Sequence, residues 1–252
     1  MIKEQTIKTN KNVEVINLGL IGYIEALRIQ EELFNTIIRI KTESRNKAEK
    51  TLTQNYLLYC SHPPVFTLGR SGKKKHLLVS EFFLKENGLS FYETTRGGDI
   101  TFHGPGQLVV YPILDLDNFF TDIHLYMRTL EQVVIEALAE FGISSGRVEG
   151  LTGVWVNYEN PLHARKICAM GVKTSRWVTM HGLALNINTD LSYFNYIVPC
   201  GIENKSVTSM QKELRAKVDE QKVSEIVLKK IEKLFQMQLV RSDLNKITKT
   251  SI

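Results

Sequence analysis

The stretch R-G-G-D-I-T-F-H-G-P-G-Q, from Arg96 to Gln107, runs without a break into the apolar segment L-V-V-Y-P-I-L, from Leu108 to Leu114. Glycine reaches backbone conformations closed to other residues and lets a ligand approach the main chain, while proline fixes one dihedral angle. Four glycines, a proline, an arginine and a histidine in twelve residues therefore predict a ligand-binding loop. The apolar run behind it predicts a strand that serves as the loop's anchor.

Outward from this unit the periodicities alternate. Ala26, Ile29, Leu33, Ile37 and Ile40 predict a helix over about Tyr23 to Lys41. A broad apolar stripe predicts a second from Asp122 to Phe141, stopped by Gly142. Val223, Val227, Ile231 and Leu234 predict a third over about Lys222 to Phe235. Strands are expected at Tyr56 to Cys60, Val65 to Leu68, Ser90 to Thr94, Leu108 to Leu114, Gly153 to Tyr158, Ala164 to Val172 and Trp177 to Ile187. Strands and helices do not alternate strictly, so the expected class is α/β with a mixed β-sheet packed by helices, rather than a doubly wound sheet. No Pro/Ser/Gly-rich linker divides the chain, which reads as a single domain over 1–252 with the helical segment of about 203–252 included.

Composition narrows the chemistry. The N-terminus is polar and no run approaches the roughly 18 to 20 apolar residues of a membrane span, so a cytoplasmic protein without a membrane partner is expected. Of the net charge of +5, most falls beyond Ile202, where eleven basic side chains face seven acidic ones. A solvated helix face explains that excess, and no basic stripe interleaved with aromatics indicates nucleic acid. The six histidines show no paired metal-ligand spacing, and the phosphate-cradling glycine motifs are incomplete, so neither metal nor cofactor is expected. Three cysteines do not form a disulfide framework.

Cysteine chemistry remains. Strict alternation in R-K-I-C-A-M-G-V-K, from Arg165 to Lys173, places Lys166, Cys168, Met170 and Val172 on one face and Ile167, Ala169 and Gly171 on the other. Cys168 thereby gains a lysine neighbour, yet a small thiol in an apolar strand is ordinarily inert packing. Cys200, between Pro199 and Gly201, lies in an irregular segment that can present sulfur and backbone N–H groups to a carbonyl, and is the favoured nucleophile. A nearby ammonium such as that of Lys166 would favour its thiolate. Phe102, Met170, Leu183 and Leu185 are candidates to line an apolar tunnel. His103 suits either loop packing or a hydrogen bond to a substrate carbonyl.

Five co-linear motifs carry a family resemblance: H-P-P-V-F-T-L-G-R from His62, the glycine loop with its strand, K-I-C-A-M-G-V from Lys166, H-G-L-A-L-N-I-N-T-D-L from His181, and I-V-P-C-G-I around Cys200. Together they resemble the lipoyl (octanoyl) transferases of lipoic acid biosynthesis. The resemblance implies the catalytic-domain fold of biotin and lipoate protein ligases. It also implies transfer of an octanoyl group from octanoyl-acyl carrier protein to a lysine of lipoyl domains, those of 2-oxoacid dehydrogenases and the glycine cleavage H protein, through a cysteine thioester. It makes Cys200 the nucleophile and Lys166 its partner. It assigns Arg96, Gly97, Gly98, Asp99, Ile100, Thr101, Phe102 and His103, with Ala169, Met170, Gly171, Gly182, Leu183 and Ala184, to the acyl pocket and its rim. Two alternatives share the fold: an ATP-dependent lipoate or biotin ligase, and a non-catalytic acyl-binding module.

Overall fold

The apolar segment behind the glycine loop becomes strand β6 (Gln107–Ile113), buried along its whole length. Successive strand residues point to opposite faces, so a strand without polar alternation must be covered on both sides. In the computed structural model, which describes residues 9–45, 51–160, 162–198 and 206–244, that is its situation. Val109, Tyr111 and Ile113 pack with Ala26, Leu33 and Ile37 of helix α1 (Tyr23–Ser44). Leu108 and Val110 pack on the other side with Leu130 and Val134 of α3 (Ile123–Ala139) and Val227 and Ile231 of α5 (Glu220–Phe235).

The large sheet is mixed. Its order is β12 (Gln238–Arg241), β1 (Asn12–Leu20), β2 (Tyr56–Ser61), β6, β10 (Val178–Asn186), β9 (Arg165–Ser175), β8 (Leu151–Val156) and β7 (Ser145–Val148), with β11 (Ser206–Val207) added beside β9. A three-stranded sheet, β4 (Ser90–Glu93), β3 (Val65–Leu68) and β5 (Ile100–His103), carries the glycine loop. Helices α2 (Glu81–Glu86) and α4 (Met210–Leu214) are short connectors. The three long helices occupy the expected places; α3 starts at Ile123 because Asp122 caps it, accepting from the Leu125 N–H. Among the described residues no helix is long and apolar enough to cross a membrane.

Two local readings change. The glycine stretch is a loop only as far as Asp99, since Ile100–His103 pairs with Val65–Leu68 as β5. Strand β9 also breaks its alternation. Val154 pairs with Cys168 but Trp155 pairs with Lys166, leaving Ile167 as the extra residue of a β-bulge. The bulge moves Lys166 off the face it was expected to share with Cys168, onto the face of Ala169 and Gly171.

Candidate active site

Between the two sheets lies a cavity of about 320 Å³. The glycine loop forms one wall and β9 and β10 the other. Gly171 and Gly182 face each other across these strands. A β-carbon at Gly171 would stand 2.6 Å from the Gly97 carbonyl oxygen, and one at Gly182 only 2.1 Å from that of Val110. The bare Gly171 therefore lets the loop lie against β9, while the bare Gly182 makes room for the backbone of β6. The Gly97 N–H fixes the contact by donating to the Val172 carbonyl at 2.9 Å.

Of the residues expected at the pocket, Arg96, Gly98, Asp99, Ile100, Thr101, His103, Lys166, Ala169, Met170, Gly171, Gly182, Leu183 and Ala184 line this cavity. Gly97 and Phe102 do not. Phe102 points away into the core under the small sheet, stacked on Tyr193 with ring centroids 4.6 Å apart. Leu185 likewise belongs to the main core. Cys200, with Pro199 and Gly201, lies outside the described residues.

Arg96 organises the loop through neutral oxygens. Its Nη2 donates to the Thr67 carbonyl at 2.6 Å, to Thr67 Oγ1 at 3.0 Å and to the Asp99 carbonyl at 2.8 Å. A hydrogen-bonded chain continues from Thr67 Oγ1 to His103 Nε2 at 3.3 Å and from His103 Nδ1 to Gln107 Oε1 at 2.8 Å. Gln107 in turn donates to Asn186 Oδ1, and Asn186 to the Thr208 carbonyl. Because Gln107 spends its amide hydrogens on Asn186 and the Phe102 carbonyl, its oxygen must accept, which assigns the proton of His103 to Nδ1. Both nitrogens of His103 are therefore committed to packing. Burial, with the nearby His62 as a lesser cause, pushes its pKa down to about 3, so it stays neutral.

Asp99 ties the loop to its surroundings. Its carboxylate meets His76 Nδ1 at 2.7 Å and accepts from the Ile100 N–H. The His76 carbonyl then accepts from the Val198 N–H at 2.8 Å, so the loop is tied to the chain two residues before Cys200. On the far side of that segment, Val207 pairs with Lys166, and the Arg165–Glu213 ion pair at 2.9 Å pins the return.

Lys166 sits where the bulge aims it. Its Nζ is 4.6 Å from the centroid of the Trp155 ring. Its aliphatic stem passes Gly153, whose φ of +108° and lack of side chain open the way. The Gly153 N–H donates at 3.0 Å to Glu131, a fully buried carboxylate on α3 that also holds Arg147 and Arg128. The other thiols are poor nucleophiles: burial drives Cys168 far above its ordinary value and Cys60 up to about 12. Among the described residues no cluster of three His, Cys, Asp or Glu side chains could hold a metal.

Sequence reasoning missed the inner end of the cavity, where Tyr23, Tyr111 and His181 stand. The Tyr111 hydroxyl donates to His62 Nε2 at 2.7 Å, and His62 Nδ1 donates to the Ile21 carbonyl. The signal was a tyrosine inside an otherwise aliphatic strand, Val109-Val110-Tyr111-Pro112, which a buried strand tolerates only when the hydroxyl has a partner.

The family model of the lipoyl protein ligase A/B catalytic domain matches residues 22–232. The chain is 55% identical over 233 residues to an octanoyltransferase of Cytophaga hutchinsonii, covering 92% of this chain and 96% of that one. It is 53% identical to an octanoyltransferase of Flavobacterium johnsoniae, over 92% of this chain and 100% of the other. Among solved structures it resembles a bi-partite lipoate protein ligase of Thermoplasma acidophilum at a TM-score of 0.70 and 15% identity, over 96% and 91% of the two chains. A lipoate-protein ligase A bound with ATP is similar at a TM-score of 0.67 and 14% identity, over 96% and 92%. At such identities the structural likeness concerns the fold.

Proposed function

The chain belongs to the lipoyl protein ligase A/B catalytic domain family, and we infer that it is an octanoyltransferase of lipoate biosynthesis, taking its acyl group from octanoyl-acyl carrier protein and delivering it to a lysine of a lipoyl domain. The kinship to octanoyltransferases at 55% identity over 92% of the chain supports the activity. The observation that carries the mechanism is the bulge at Ile167, which puts the Lys166 ammonium on the wall of a glycine-lined cavity instead of beside the inert Cys168.

In this reading the Cys200 thiolate attacks the carbonyl carbon of the donor thioester. A carbon–sulfur bond forms to Cys200, the bond to the carrier's thiolate breaks, and the leaving thiolate takes a proton from Lys166. The acceptor amine then attacks the new thioester, giving an amide; Lys166 receives the amine proton and Cys200 is released. The donor is already activated, so thioester exchange is nearly balanced and amide formation drives the second step without ATP. Lys166 first stabilises the thiolate and then relays protons. Single-domain organisation over 1–252 and a cytoplasmic setting belong to the same reading.

Mixing the purified protein with octanoyl-acyl carrier protein tests it by mass spectrometry. An octanoyl adduct that is absent in Cys200→Ser, followed by ATP-independent transfer to a lipoyl domain, is expected. Transfer that requires free octanoate and ATP would assign the chain to the ligases instead, and acyl binding without an adduct would make it a binding module.

A further inference from the structure

His181 has no role in the scheme above, yet its position is costly. It is 2% exposed and adopts a left-handed backbone with φ of 60°, which residues with a β-carbon avoid. The backbone is held there by Gln30 of α1, whose Oε1 accepts from the His181 N–H at 3.0 Å. Because a backbone N–H can only donate, that bond assigns the Gln30 oxygen as the acceptor. Neither Gln30 Nε2 nor His181 Nε2 is hydrogen-bonded by another protein group, although both are buried. The imidazole lines the cavity. Burial with Arg96 and Lys173 nearby keeps it neutral, its pKa pushed down to about 3. A neutral ring with an unsatisfied buried nitrogen requires a small polar partner, which a water in the cavity satisfies and a methyl group does not.

The distances along β9 give this position a meaning. The Lys166 stem passes within 3.5 Å of where a Gly153 β-carbon would stand, and Gly153 is one residue beyond Val154, the partner of Cys168. The ammonium end of Lys166 is thus level with about Ala169. His181 pairs with Val172, three residues further, or about 10 Å. An extended octanoyl group measures about 9 Å from carbonyl to methyl at about 1.25 Å per C–C bond. An acyl chain whose carbonyl reacts beside Lys166 therefore ends its methyl at the imidazole.

We infer that His181, set in place by Gln30, is the far wall of the acyl cavity and limits the chain to about eight carbons, because two more methylenes would be driven against the buried ring and its polar Nε2. The inference rests on the octanoyltransferase reading and names a specificity residue within it. Acyl loading is measured by mass spectrometry with hexanoyl, octanoyl, decanoyl and dodecanoyl carrier thioesters. In the unaltered protein the rate with decanoyl should fall about tenfold or more below octanoyl. In His181→Leu the decanoyl-to-octanoyl ratio should rise about tenfold. His181→Asn, which tolerates the left-handed backbone and shortens the side chain, should raise the same ratio and serves where the leucine variant does not fold. A protein that loads no chain at all refutes the activity and this inference together. One that loads octanoyl and decanoyl equally, or whose folded variants keep the original ratio, refutes the length limit alone.

Discussion

Lys166 Nζ and the Trp155 ring lie 4.6 Å apart on neighbouring strands, brought to the same face by the extra residue Ile167. The indole face helps hold the ammonium in place, on the wall of the cavity that a thiolate would share. Lys166→Ala should slow acyl loading by about 10²-fold. It should also move the rise of the rate with pH up toward about 8.5, the ordinary thiol value. Rapid-quench loading across pH measures both, and a pH profile that does not move would remove the lysine from the chemistry.

The two described thiols invite a separate test. Burial raises Cys60 to about 12 and Cys168 further still, which leaves almost no thiolate on either near neutral pH. The native protein should therefore react with one equivalent of a disulfide reagent, and Cys200→Ser with none until it is unfolded. Cys168→Ala should retain transfer and lose about 1 kcal/mol of stability, as expected for a small buried side chain. Equal loss of transfer on changing Cys168 would overturn the choice of nucleophile.

What the sequence revealed and concealed follows from the range of the forces involved. Helices α1, α3 and α5 were legible because each presents a one-sided stripe, and β6 because both its faces are covered. Strand β1 escaped notice, since its polar residues reflect a position near the sheet margin, beside β12 from the other end of the chain. The pocket glycines were readable as shape, but the side of β9 to which Lys166 points was not. One unpaired residue at Ile167 reverses the parity of everything before it, and that insertion is set by pairing with β8, a contact between strands. Phe102 differs for a similar reason: a glycine-rich stretch reads as loop, whereas alternation in β5 turns the ring into the core. The basic excess of the C-terminal segment is partly consumed within the fold, where Lys230 meets Glu140 at 2.6 Å.

The glycine pair offers a steric test. Gly171→Ala would force its β-carbon to within 2.6 Å of the Gly97 oxygen, a contact relieved only by lifting the loop from β9. The Gly97 to Val172 hydrogen bond would break with it. A loss of about 1 to 3 kcal/mol in urea unfolding is expected, together with a larger loss of acyl loading than of acceptor binding, because the displaced loop is the wall of the cavity. Loading at the unaltered rate would show that the loop's seat on β9 is irrelevant to the acyl site.

His103 makes a prediction about pH and stability whose direction is fixed by its burial. Its pKa is about 3 in the folded protein against 6.5 for the free side chain, so between those values the unfolded chain binds a proton that the native one refuses. Stability from this group is complete above about pH 6.5 and drains away as the pH falls toward about 3. Going from about pH 7 to pH 5 should cost about 2 kcal/mol through His103 alone. Buried His181, depressed to a similar value, adds a loss of the same sign. Carboxylates such as Glu213, held low by Arg165 and Thr208 against the opposing effect of burial, also weaken the fold in acid, so the total slope does not isolate the histidine. The difference does. His103→Asn loses the bonds to Thr67 and Gln107 and should be less stable than the parent at pH 7, yet the gap should narrow by about 2 kcal/mol at pH 5. Urea unfolding of both proteins at the two pH values reads this directly, and a gap that stays constant would mean that His103 takes up its proton without leaving the folded state.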